Sequence, residues 1–135
     1  YYGENTDLLN YLYVSCSINA NNYWRGSKFV KSINTDKVNE FSSDLIVALL
    51  RFHVGNKDIN ESENIYNKLN NEKRDATCLS VLMKGYINLK NNEKAIELYN
   101  EFSGTHDDIT KLLYIKACTN LKNWDKGYQY VDTLK

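Results

Sequence analysis

Residues 80–102, SVLMKGYINLKNNEKAIELYNEF, decide how the rest of the chain is read. The stretch divides into two short helices joined by a polar turn. Leu79, Leu82, Met83, Tyr86 and Ile87 recur at helical spacing and form one apolar stripe. Asn91 or Asn92 then caps a second helix, because an Asn side-chain oxygen accepts a hydrogen bond from a first-turn backbone N–H. Ala95, Ile96, Leu98, Tyr99 and Phe102 form the second stripe. One helical hairpin cannot bury both stripes, so the chain must supply neighbours of the same kind.

It does. The offset of 33 that carries Ser62 to Ala95 lays Leu49, Leu50, Lys57, Ile65, Tyr66 and Asn67 over Leu82, Met83, Lys90, Leu98, Tyr99 and Asn100. The offset of 32 that carries Ala95 to Gly127 lays Leu82, Met83, Lys84, Gly85 and Leu98 over Tyr114, Ile115, Lys116, Ala117 and Tyr130. An ungapped offset of 101 superposes Leu12, Tyr13, Asn19, Asn22, Gly26 and Val30 on the identical Leu113, Tyr114, Asn120, Asn123, Gly127 and Val131. The step from the first unit to the second, Gly26 to Ser62, is then 36. The pattern predicts an all-α fold: one array of about four helix-turn-helix units over 7–42, 43–75, 76–107 and 108–135. Thr6 or Asp7 is expected to cap the first helix, which runs to about Ile18, and Tyr23 to Ile33 forms its partner. NTDKVNE is expected as a linker, with Ser42, Ser43 or Asp44 capping the next helix and Asp58 capping its partner.

With the repeats in register, MKGYINLKNNEKAIELYNEF resembles the pentatricopeptide repeat, and YIKACTNLKNWDKGYQYV is similar to that family's long subtype through Ala117, Cys118 and Gly127. YVSCSINANNYWRGSKFV resembles the same subtype, with Cys16 and Gly26, whereas LLRFHVGNKDINESENIYNKL resembles a short-subtype unit in which Phe52 and Ser62 depart from the pattern. The resemblance implies a right-handed α-solenoid that binds single-stranded RNA in an organelle, mainly the mitochondrion, for RNA editing, processing, stability or translation. The mixed order of long and short units implies an editing factor. The tetratricopeptide repeat has a similar period of about 34, but its Trp, Leu-Gly, Tyr and Pro pattern is not in register here.

A length of 135 residues suffices for one such array. The formal charge is zero, so no broad positive field attracts polyanions, although one basic row can coexist with acidic residues elsewhere. No apolar run approaches a membrane span, and no targeting segment is visible. The chain lacks an initiator Met and stops at Lys135 in mid-helix pattern, which reads as a fragment of a longer array. Cys16, Cys78 and Cys118 are odd in number and include no C-x-x-C, so they read as core thiols in a reducing compartment. His53 and His106 stand alone without finger-like ligand spacing, so no metal and no cofactor is expected. No nucleophile sits on a glycine-rich or strained turn, and no enzymatic activity is expected.

The functional pattern falls on the first helices. Arg51, Lys84 and Lys116 are equivalent under the same two offsets, one cation per unit, with Ser15 interrupting the row in the first. Such a ladder suits the successive phosphates of an extended strand. The family resemblance adds base readers, a first-helix residue paired with the residue before the next unit. Carried onto this chain, these are Ser80 with Asp107, Val47 with Asp75, and Tyr11 and Leu112 in the long-type units. Hydroxyl plus aspartate implies guanine. Base-wedging side chains would be Leu8, Thr77 and Ile109, whereas Asp44 departs from the pattern where a wedge is expected in the second unit. Tyr23, Tyr66, Tyr99 and Trp124 recur at packing positions and read as core, whereas Trp24 is expected on the surface. Gly26 and Gly127 are expected at close helix contacts. The alternative function is a protein-binding scaffold, either of tetratricopeptide type or a structural subunit of a ribonucleoprotein particle.

Overall fold

A computed structural model describes residues 2–121 together with Asp125, Tyr128 and Asp132. Among the described residues there are seven α-helices, one 3-10 helix and no strand. The α-helices are α1 (Tyr2–Asn19), α2 (Tyr23–Val30), α3 (Ser43–Gly55), α4 (Ile59–Lys68), α5 (Ala76–Asn88), α6 (Asn92–Glu101) and α7 (Asp108–Asn120), and the 3-10 helix spans Thr35–Glu40. The helix expected after α7, with Trp124 and Gly127, lies outside the described residues, of which Asp125, Tyr128 and Asp132 are helical.

Side-chain capping sets where these helices begin. Asn22, Asp58 and Asn91 are equivalent in register and start α2, α4 and α6, each accepting from the N–H three residues on, Arg25, Glu61 and Lys94 respectively. Ser42, Asp75 and Asp107, also equivalent, cap α3, α5 and α7 through Leu45, Cys78 and Thr110. A cap of this kind contributes about 1 kcal/mol relative to alanine.

The turns within the hairpins repeat as well. Asn21, Lys57 and Lys90 occupy equivalent positions and, among the described residues, are the non-glycine ones with positive φ, at 55°, 62° and 61°. The residue after each donates back across the turn, Asn22 N–H to Ser17 O, Asp58 N–H to His53 O and Asn91 N–H to Tyr86 O, at 2.8–2.9 Å. The αL residue donates as well, Asn21 to Ile18 O, Lys57 to Val54 O and Lys90 to Ile87 O. This pair of bonds is the Schellman arrangement, which satisfies helix-terminal carbonyls. Each connection is three residues long, so α1–α2, α3–α4 and α5–α6 are three antiparallel hairpins closed in the same way.

The described chain forms two compact units, Tyr1–Arg74 and Asp75–Lys135. In the first unit α3 packs against α1, α2 and α4. Its core holds Val14, Val30, Leu45, Leu49, Phe52, Ile65 and Tyr66. Gly26 permits the closest approach: a Cβ there would lie 2.6 Å from Phe52 Cε2 and 2.8 Å from Ser17 Cβ. Phe52 thus fills space left open by the missing side chain, and the Tyr23 ring packs tilted on it at 5.3 Å. The hydroxyl of Ser62, fully buried, donates to Leu50 O, so this departure from the pattern leaves no orphaned polar group.

In the second unit α5, α6 and α7 pack mutually. Cys78, Leu79, Leu82, Met83, Ala95, Leu98, Leu113 and Ala117 are buried. Tyr99 of α6 stacks on Tyr114 of α7 at 4.4 Å and on His106 at 3.6 Å.

Four local expectations are corrected. First, α1 runs through Thr6 from Tyr2, so Thr6 and Asp7 are helix interior rather than caps. The Asp7 carboxylate instead accepts the Ser42 N–H at 2.8 Å, a first-unit tether between helices. Second, α2 ends at Val30, before Ile33. Third, the linker is a 3-10 helix docked on α4, with Val38 fully buried and Asn39 bonded both ways, donating to Lys68 O and accepting from Asn70 N–H. The longer step between the first two units is accommodated in this segment. Fourth, Cys16 is exposed, whereas Cys78 and Cys118 are buried as core thiols.

Candidate nucleic-acid interface

The sequence-assigned positions recur at i, i+3 and i+7 on each first helix, which places them on one helical face. On α1 these are Leu8, Tyr11 and Ser15; on α3, Asp44, Val47 and Arg51; on α5, Thr77, Ser80 and Lys84; on α7, Ile109, Leu112 and Lys116. The wedge positions Leu8, Asp44, Thr77 and Ile109 are all exposed. So are the three cations Arg51, Lys84 and Lys116. Their charge is therefore kept in water while the opposite side of each helix enters a core. In the second unit α5 and α7 pack together, each carrying one of the row's lysines on its solvent-facing strip.

The reader positions are less uniform. Leu112 is exposed, and Tyr11 and Val47 are half-buried. Ser80 is 9% exposed, and its hydroxyl donates to Thr77 O at 2.7 Å. The proton of this hydroxyl is spent on its own helix, which leaves its lone pairs as acceptors. Asp75 and Asp107 serve as N-caps, accepting from Cys78 N–H at 3.0 Å and Thr110 N–H at 2.9 Å. A carboxylate has about four lone-pair sites, so capping and reading are chemically compatible for Asp107. Sequence reasoning reached these aspartates by register and did not recognise them as caps. The local signal was present, since each directly precedes a helical apolar pattern.

Burial sets the chemistry beside the two caps. Removal from water, followed by the Asp75 charge, pushes the Cys78 thiol up to about 12, so it remains protonated and unreactive. His106, next to Asp107, has its imidazole pKa lowered by burial, which outweighs the neighbouring carboxylate. Thr110 donates its hydroxyl proton to Asp107 O at 3.0 Å and also lies 3.3 Å from His106 Nδ1. Thr110 thus holds both ends of the cap, its N–H on the Asp107 carboxylate and its hydroxyl on the Asp107 backbone carbonyl, with the imidazole beside it. Tyr114 is likewise raised by burial.

Outside the strip, Trp24 is 73% exposed, as expected from sequence, with Lys28 Nζ 4.3 Å over its ring. A shallow cleft of about 280 Å³ between α1 and α2 is lined by Tyr13, Cys16, Ser17, Ala20, Asn22 and Arg25. Arg25 adds a cation that lies off the predicted row. Among the described residues no group of three His, Cys, Asp or Glu side chains is placed to hold a metal. No helix among them is long and apolar enough to cross a membrane. No protein-family model, curated protein or solved structure matches the chain.

Proposed function

We propose that the chain is a solenoid of pentatricopeptide-like hairpins that binds extended single-stranded RNA along the first-helix strip, without catalysis of its own. The observation that carries this reading is the common exposure of Arg51, Lys84 and Lys116 at one register position on three successive first helices. Phosphates recur along an extended strand, and a recurring cation is their natural complement. The repeated hairpin turn supports the solenoid, because identical closures give each hairpin the same geometry to offer its neighbour. Family likeness extends the proposal to sequence-selective recognition within a mitochondrial RNA editing, processing, stability or translation factor, with Ser80 and Asp107 favouring guanine.

The test is binding to labelled single-stranded RNA across a salt series. Replacing Arg51, Lys84 and Lys116 together by Gln should weaken binding to all sequences alike and flatten the dependence of log Kobs on log salt. An unchanged slope would refute the ladder.

A protein-scaffold reading is favoured by a different observation. The Ser80 hydroxyl is bonded to its own helix and nearly buried, and both reader aspartates also cap helices, so three of the six reader positions carry structural bonds as well. Single-stranded RNAs of differing sequence that all fail to bind would select this second reading.

A further inference from the structure

One second helix carries an outer strip unlike the others. Trp24, Lys28 and Lys31 stand at i, i+4 and i+7 on α2 and its C-cap, which places them on one helical face about 10 Å long, and all three are exposed. Their equivalents are Asn60, Asn64 and Asn67 on α4 and Glu93, Glu97 and Asn100 on α6, all exposed too. The α3–α4 hairpin has another hairpin packed before it, and the α5–α6 hairpin has α7 packed after it. A neighbouring repeat on either side therefore leaves this strip in water, and the exposure of Trp24 does not depend on where the sequence begins.

The strip is basic as well as aromatic. Residues 23–31 hold Arg25, Lys28 and Lys31 and no acid, in a chain whose formal charge is zero. Lys68 and Lys94 on the other second helices pair with Asp36 and Glu97, whereas among the described residues neither Lys28 nor Lys31 has a carboxylate partner. Lys28 instead holds its ammonium 4.3 Å from the Trp24 ring centroid, and Trp24 is still 73% exposed, so most of its surface is open to a ligand.

Three kinds of ligand suit a basic aromatic strip, and the geometry separates them. A membrane surface takes up a helix by its apolar face. On α2 that face is committed, since Gly26 and Val30 are buried and Phe29 stacks on Tyr13 at 4.2 Å. A protein hot spot needs its aromatic in a desolvated, well-packed pocket, but Trp24 is flanked by the exposed, polar Asn22, Arg25 and Lys28. A nucleobase needs only an open ring to stack on, with cations nearby for its phosphates.

We infer that Trp24, Lys28 and Lys31 form a second contact for single-stranded RNA, with one base stacked on the indole and the adjoining phosphates held by the two ammoniums. The choice of RNA over DNA rests on the function proposed above; the stacking and phosphate contacts rest on α2 alone. The strip lies in the hairpin whose first helix breaks the cation row at Ser15, and it gives that unit the positive charge its ladder position lacks.

Binding of a labelled oligouridylate, read by anisotropy over a salt series, tests this. Trp24→Ala should weaken binding about 5- to 100-fold, and Trp24→Phe should keep most of it, because stacking needs a ring. Should Trp24→Ala unfold, Trp24→Gln replaces it. Lys28→Gln with Lys31→Gln should reduce the slope of log Kobs against log salt by about 1.4, the share of two phosphates on a single strand. Oligouridylate should also quench the emission of the wild type more than that of Trp24→Phe, a comparison that subtracts the chain's other tryptophan, Trp124. The same difference in quenching with Arg51, Lys84 and Lys116 all replaced by Gln would show that the strip binds independently of the ladder. RNA binding unaffected by Trp24→Ala at unchanged circular dichroism overturns the inference and leaves the ladder standing. Poly-glutamate that quenches Trp24 as strongly as oligouridylate overturns it as well, and makes the partner an acidic protein.

Discussion

Replacing Gly26 by Ala opposes two effects of known size. In an exposed helix interior Ala is favoured over Gly by about 0.8–1 kcal/mol. At Gly26 the new Cβ would meet Phe52 Cε2 at 2.6 Å, Ser17 Cβ at 2.8 Å and Ser17 Oγ at 2.9 Å. Neither neighbour yields easily: the Phe52 ring is fully buried and held by Tyr23, and a Cβ moves only with its backbone. Overpacking of this kind costs about 1–3 kcal/mol, and the clash is severe enough to exceed the propensity gain. The expected net loss is about 1–2 kcal/mol, which for a chain of this size lowers Tm by roughly 4 °C per kcal/mol. Thermal unfolding by circular dichroism reads the loss. Pairing the change with Phe52→Leu should recover part of it, a non-additivity expected only if the two residues share the site. A Gly26→Ala protein that melts at or above the wild-type temperature would refute the close-approach argument.

Two further outcomes follow from the caps and the histidines. Asp107→Asn preserves a good N-cap and should leave Tm nearly unchanged while shifting base preference from guanine toward adenine, whereas Asp107→Ala should cost about 1 kcal/mol of stability; equal melting of all three proteins would remove Asp107 from the cap. The imidazoles of His53 and His106 both lie below the ordinary value of 6.5, chiefly through burial. The unfolded chain therefore takes up protons first, and stability is full above about pH 6.5 and falls as the pH drops below it. Melts between pH 7.5 and 5.5 should show that decline, and His53→Gln with His106→Gln should flatten it; an unchanged pH slope in the double variant would place the titrating groups elsewhere.

The sequence by itself determined the helical class, the hairpin period and most of the helix starts. Asp58, Asn91 and Ser42 were readable as caps because capping joins a side chain to an N–H three residues away, an interaction contained in a short string of letters. The apolar stripes and the exposure of Arg51, Lys84 and Lys116 were readable for the same reason, since helical period alone puts each on its helix face. Tertiary structure decided the rest. Lys57 and Lys90 gave no turn signal of the glycine kind, yet the packing of each hairpin holds them at positive φ. NTDKVNE read as a polar linker until Val38 found α4 to pack against and turned it into a docked 3-10 helix. Phe52 departed from the repeat pattern, and its reason lay 26 positions earlier, in the side chain that Gly26 lacks. Cys16 has the same register as Phe52 and Ala117 but is exposed where they are buried. Burial is a property of what lies next to a helix face, and a helix's own sequence specifies the face without specifying the neighbour.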